Sequence, residues 1–121
     1  MIWVRWGAAM MFSGVALGAF GAHGLRTRLS SEMLEIYKTG VMYHLIHALG
    51  LFVVAWLSTR SEDGRVNLAG ACLVAGILLF SGSLYTLSIT GIRWLGAITP
   101  IGGALFLTAW FMIGMLAKRP S

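Results

Sequence analysis

The residues of this sequence best suited to chemistry lie in one short apolar segment. Tyr43, His44 and His47 stand between Gly40 and Gly50, where every other residue is apolar. Residues three or four apart share one face of a helix, so these three side chains occupy neighbouring positions. Polar groups in apolar surroundings need hydrogen-bond partners from the protein itself. We therefore expect this segment to face the interior of a helical assembly.

The composition predicts a membrane protein. Of the 121 residues, 58% are hydrophobic and 11% are charged, whereas soluble domains contain about 25% charged residues. The net charge is +5, but the nine Lys and Arg residues are spread between apolar blocks and form no basic face, so we expect no nucleic-acid partner. Cys72 is the single cysteine, which excludes an internal disulfide and a cysteine-rich metal site.

Four apolar blocks predict four transmembrane helices within a single domain over residues 1–121. The predicted spans lie near residues 5–24, 40–58, 66–90 and 95–117. Residues 31–39 have an amphipathic pattern after a capping serine, which predicts a short interfacial helix that bends at Gly40. Lipid admits only helices or closed barrels, and no strand alternation is present. The predicted fold is an all-α membrane protein, an antiparallel four-transmembrane-helix bundle with a short interfacial helix between helices 1 and 2.

The positive charges predict the orientation of this bundle. Five basic residues fall on the side of the chain ends and four on the opposite side: Arg5, Arg60, Arg65, Lys118 and Arg119 against Arg26, Arg28, Lys38 and Arg93. Because basic residues are enriched in cytoplasmic loops, we expect both termini to be cytoplasmic.

The antiparallel arrangement brings polar residues of all four helices into one half of the membrane. The candidate polar site contains His23, Tyr43, His44, His47, Ser81, Tyr85 and Thr99. We favour a structural role, in which these groups bond to one another and to the backbone. The alternatives are binding or transport of a small polar molecule, ion or proton, and a metal or haem site that uses His23, His44 and His47.

Familiar catalytic motifs are absent from the sequence, which has no serine elbow, P-loop or zinc-protease helix. A dyad of Ser81 and His47 is conceivable, but the spacing does not require it. We therefore predict no enzymatic activity, no cofactor and no metal.

Glycines predict where the helices approach one another closely. We assign helix packing to Gly14, Gly18, Gly21, Gly82, Gly102 and Gly103. In membranes, small residues let helix backbones come together. The same surfaces are compatible with a homo-oligomer, and the other expected partner is membrane lipid.

Four segments in succession resemble the signatures of the YgdD/YwdK-like family. They are Leu17-Gly18-Ala19-Phe20-Gly21-Ala22-His23-Gly24, Tyr43-His44-Leu45-Ile46-His47-Ala48, Phe80-Ser81-Gly82-Ser83-Leu84-Tyr85 and Thr99-Pro100-Ile101-Gly102-Gly103. That family consists of small, functionally uncharacterised bacterial inner-membrane proteins. The resemblance covers essentially the whole chain, and it implies a four-span inner-membrane protein with no established biochemical activity.

Overall fold

The fold consists of four long helices. The computed structural model describes residues 1–117; Lys118 and Arg119, which enter the charge count, lie outside this range. The helices are α1 (Ile2–Leu25), α2 (Ser31–Ser58), α3 (Arg65–Thr90) and α4 (Arg93–Leu116), each long and apolar enough to cross a membrane. No strand occurs in residues 1–117. The predicted all-α, four-span membrane fold is confirmed.

Three of the helices contain turns of another type. Gly21–Leu25 at the end of α1 and Ile77–Ser81 within α3 are π-helical, and α4 opens with a 3₁₀ turn at Arg93–Ala97. Pro100 lies in the first turn of the α-helical part of α4, where its missing N–H leaves no hydrogen bond unmade. The π turn in α3 includes Ser81, which contacts α2 as described below.

The structure corrects the prediction of a separate interfacial helix. Residues 31–39 are the first turns of α2, which is one continuous helix capped by Ser30, whose hydroxyl accepts a hydrogen bond from the Met33 N–H at 3.2 Å. The helix continues through Gly40 without interruption. The missing side chain of Gly40 makes room for the ring of Tyr85, because a methyl group there would lie 2.9 Å from Tyr85 Cε1.

The helices pack mainly in chain order. α2 lies between α1 and α3, and α4 packs chiefly against α3. The main apolar core includes Leu51 and Val54 of α2, Leu73 of α3 and Ile113 of α4. The side chain of Trp3 joins this core and donates a hydrogen bond from Nε1 to Asn67 Oδ1 at 2.8 Å, which ties the start of α1 to the start of α3.

The loop between α2 and α3 is organised around Asp63. Its carboxylate accepts hydrogen bonds from the guanidinium and the backbone N–H of Arg65, at 2.8 and 2.9 Å. These bonds lower the pKa of Asp63 to about 2. The carboxylate therefore remains charged near neutral pH and stabilises the turn that leads into α3.

Most of the predicted packing glycines lie against a neighbouring helix. At Gly102 the neighbour is backbone, because a methyl group there would lie 2.8 Å from Cα of Phe80. An added methyl group would also press against a side chain of α2 at three other glycines: Leu45 at Gly14, Val41 at Gly18 and Tyr37 at Gly21. At Gly103 the methyl group would lie 3.9 Å from the Phe80 ring, an ordinary contact distance. The prediction is wrong for Gly82, because a methyl group there would meet nothing within 4 Å.

Candidate functional site

The imidazole of His44 connects three helices. Its Nδ1 lies 2.8 Å from the hydroxyl oxygen of Tyr85 on α3, and its Nε2 lies 3.2 Å from Oγ of Ser13 on α1. The Ser13 hydroxyl is also 3.0 Å from the carbonyl oxygen of Met10. His44 is buried, so these contacts are made away from lipid.

The proton positions in this network follow from its acceptors. A serine hydroxyl has one proton, and that of Ser13 is donated to the Met10 carbonyl, which can only accept. Nε2–H of His44 must then donate to Ser13, and Nδ1 of the neutral ring accepts from the Tyr85 O–H. Both ring nitrogens are therefore paired within the protein, as expected for a structural histidine.

Two of the remaining predicted polar residues, Ser81 and Thr99, form separate interhelical contacts. Ser81 donates to the Gly40 carbonyl oxygen at 2.7 Å, so its hydroxyl is engaged with the α2 backbone rather than with His47. Thr99 Oγ1 lies 2.6 Å from Ser83 Oγ and joins α4 to α3. His23 is exposed near the end of α1. The seven residues predicted as one site thus do not form a single cluster.

His47, three residues further along α2, faces α4. Its Nδ1 is 2.7 Å from the carbonyl oxygen of Tyr43, so this nitrogen carries the proton and donates it. The imidazole is stacked on the ring of Phe106 with a centroid separation of 3.5 Å and an angle of 8°. Since a neutral imidazole has one N–H, the lone pair of His47 is on Nε2.

His47 lines a cavity of about 450 Å³ between α2, α3 and α4. Within residues 1–117, every fully buried side-chain nitrogen or oxygen has a hydrogen-bond partner. Nε2 has no such partner in that range, so this atom is not fully buried, although His47 as a whole is only 5% exposed and lines the cavity. Aromatic side chains form one part of the wall, namely Tyr43, Phe80, Phe106 and Trp110. Small or aliphatic residues form the rest, namely Pro100, Gly103, Ala104 and Leu107.

The histidines do not assemble a metal site in the described part of the chain. Residues 1–117 contain no group of three His, Cys, Asp or Glu side chains placed to hold one ion. His44 already uses both ring nitrogens, and His47 uses one. This geometry gives the hypothesis of a metal or haem bound by His23, His44 and His47 no support.

Comparison with known proteins assigns the family. Residues 17–103 match the family described as "Protein of unknown function (DUF423)". The chain belongs to the DUF423 family. The UPF0382 membrane protein YwdK of Bacillus subtilis (strain 168) is 51% identical over 119 residues, which are 98% of this chain and 97% of the relative. The UPF0382 membrane protein SH2409 of Staphylococcus haemolyticus is 46% identical over 107 residues, 88% of this chain and 87% of the relative. No solved structure matches the chain.

DUF423 membership confirms the resemblance seen in the sequence and agrees with an unestablished function. The DUF423 match contains the whole predicted polar site but ends before Phe106 and Trp110, which complete the His47 cavity. It also begins after Ser13, the α1 partner of His44.

One signal for Ser13 was available in the sequence, because Phe-Ser-Gly occurs at residues 12–14 and again at 80–82. Both serines bond to α2, Ser13 to His44 and Ser81 to the Gly40 carbonyl.

Proposed function

We propose that this protein binds a small hydrophobic molecule in the cavity beside His47, within the membrane. The observation that carries this proposal is the imidazole of His47, which lines the cavity and whose Nε2 has no hydrogen-bond partner in residues 1–117. In surroundings that contain no water, an acceptor without a hydrogen-bond partner costs about 1–3 kcal/mol. A ligand that satisfies Nε2 removes this cost, and the apolar wall adds the free energy of burying the ligand's surface.

The His44 network has a different role in this proposal. The hydrogen bond that His44 donates to Ser13 and the one that it accepts from Tyr85 hold α1, α2 and α3 together. The two histidines are three residues apart on α2, so the network fixes the rotation of α2 that presents His47 to α4. His44 is therefore a structural residue, and His47 is the binding residue.

We further propose that the protein binds its ligand without transforming it. All four acidic residues are outside the cavity: Glu32 and Glu35 in the first turns of α2, and Glu62 and Asp63 in the following loop. The Ser81 hydroxyl, the nucleophile considered for His47, is bonded to the Gly40 carbonyl. These observations favour a binding role over catalysis.

The location that we propose is the bacterial inner membrane, with both termini cytoplasmic and lipid as the surrounding partner. An even number of spans is compatible with both termini on one side, and the charge bias of five basic residues against four favours the cytoplasm. Exposed apolar side chains on α1, such as Phe12 and Val15, leave room for a second copy of the chain as well as lipid.

Filling the cavity tests the proposed function. Ala104 is an exposed residue of the cavity wall, so Ala104→Phe places a ring in the binding space without disturbing the core. Ala9→Phe is the matched control, because Ala9 is exposed on α1 and does not line this cavity. We expect native mass spectrometry to find a small molecule retained by the wild type and by Ala9→Phe and lost from Ala104→Phe. Equal retention by all three proteins would contradict the proposal.

A further inference from the structure

The chemistry of the cavity restricts what it can bind, and this inference rests on the proposed function. We infer that the ligand is a neutral hydrophobic phenol whose hydroxyl donates its proton to Nε2 of His47. Three observations lead to this class: the fixed tautomer of His47, the uncharged wall, and the aromatic residues around the imidazole.

The tautomer of His47 requires a ligand that donates a hydrogen bond. Nδ1–H of His47 is held by the Tyr43 carbonyl at 2.7 Å, so Nε2 presents a lone pair to the cavity. A ligand that only accepts hydrogen bonds, such as an ether, an ester or a quinone, leaves that lone pair unpaired. A hydroxyl group satisfies it, and the Tyr43 hydroxyl on the same wall can bond to the oxygen of that group.

The absence of charged residues from the cavity wall requires a neutral ligand. None of the residues that line the cavity is a lysine, an arginine or an acid. A carboxylate or phosphate in this space has no opposite charge to offset its loss of water. A neutral hydroxyl carries a much smaller desolvation cost, and one hydrogen bond to Nε2 offsets it.

The aromatic side chains favour a ring over a linear alcohol. Tyr43, Phe106 and Trp110 surround the His47 imidazole, with the Trp110 ring centroid 5.8 Å from that of His47. Aromatic rings gain from offset and edge-to-face contacts beyond the burial of area. From Pro100 to Trp110, α4 rises about 15 Å, and Leu107 on this stretch is 74% exposed, so an apolar tail can leave the cavity toward lipid.

Two probes of nearly equal shape test whether the ligand must donate a hydrogen bond to Nε2 of His47. 4-Octylphenol has the hydroxyl, and 4-octylanisole replaces its proton with a methyl group. We expect the phenol to bind wild-type protein in lipid nanodiscs about tenfold more tightly than the anisole, as for one hydrogen bond to a buried acceptor. In His47→Phe, which keeps a ring against Phe106 and removes Nε2, the two probes should bind equally.

Nitrogen NMR of histidine-labelled wild-type protein provides a readout that does not depend on the variant. The chain has three histidines, and only the Nε2 signal of His47 should shift on addition of 4-octylphenol. Equal affinities of phenol and anisole for the wild type would overturn the donor inference while leaving a binding cavity in place. 1-Dodecanol binding as tightly as the phenol would overturn the preference for a ring. If none of the three probes binds the wild type, the inference and the proposed function both fail.

Discussion

Removing the Tyr85 hydroxyl should destabilise the protein, because His44 then loses the donor to its Nδ1. The hydroxyl is 2.8 Å from that nitrogen, in a region where His44 is only 4% exposed. Interhelical hydrogen bonds in membranes contribute about 0.6 kcal/mol on average and up to about 1.7 kcal/mol. Leaving a buried acceptor unpaired costs about 1–3 kcal/mol. We therefore expect Tyr85→Phe to lower the free energy of unfolding by about 1–2 kcal/mol.

The chain offers a matched control for this substitution. Tyr43 is on the same segment as His44, but its hydroxyl has no hydrogen-bond partner in residues 1–117 and the side chain is 37% exposed, so Tyr43→Phe should change stability by less than about 0.5 kcal/mol. Reversible unfolding in mixed micelles or bicelles measures both variants.

A double-mutant cycle isolates the contribution of the hydrogen bond between Tyr85 and His44. In a His44→Leu background the Tyr85 hydroxyl has lost its partner, so the cost of Tyr85→Phe should fall to near zero. The reasoning is refuted if Tyr85→Phe and Tyr43→Phe are equally mild, or if the Tyr85→Phe cost is unchanged without His44.

Three further predictions concern packing, the helix ends and topology. Gly102→Ala should lower the unfolding free energy by about 1–3 kcal/mol, since the new methyl group meets the Phe80 backbone, whereas Gly82→Ala should be neutral or stabilising; equal effects would contradict the packing described. Trp3→Phe should cost about 1 kcal/mol more than Trp6→Phe in the same unfolding assay, because Trp3 is the buried residue bonded to Asn67; similar costs would contradict that role. In a Cys72→Ala background, cysteines at positions 27 and 61 should be labelled from opposite faces of intact cells, with position 61 cytoplasmic; labelling from one face would contradict the antiparallel arrangement.

The four spans could be predicted from the sequence because each one carries its own signal. Apolar length and flanking basic or aromatic residues are local properties, and lipid leaves the helix as the available structure. Gly40 shows where this local reasoning fails. A glycine after an amphipathic segment is compatible with a bend, but here it is used for the approach of Tyr85 and for the hydrogen bond from Ser81. Both partners lie on another helix, and the pattern around Gly40 does not reveal them.

The division between His44 and His47 could not be predicted for a related reason. Three residues along a helix correspond to a rotation of about 60°, so the two rings are neighbours on one broad face. Whether that face meets one helix or two depends on how the helices are arranged. Here His44 meets α1 and α3 while His47 meets Phe106 of α4, so one predicted cluster becomes a closed network and an open cavity.

A high-resolution experimental structure of the protein, extracted from native membranes with its lipids retained, tests the central claim most directly. The account predicts density for a bound molecule in the His47 cavity, with a polar atom about 2.7–3.2 Å from Nε2 and with both nitrogens of His44 paired to Ser13 and Tyr85. A closed cavity in which a protein group bonds to Nε2 of His47 would contradict it.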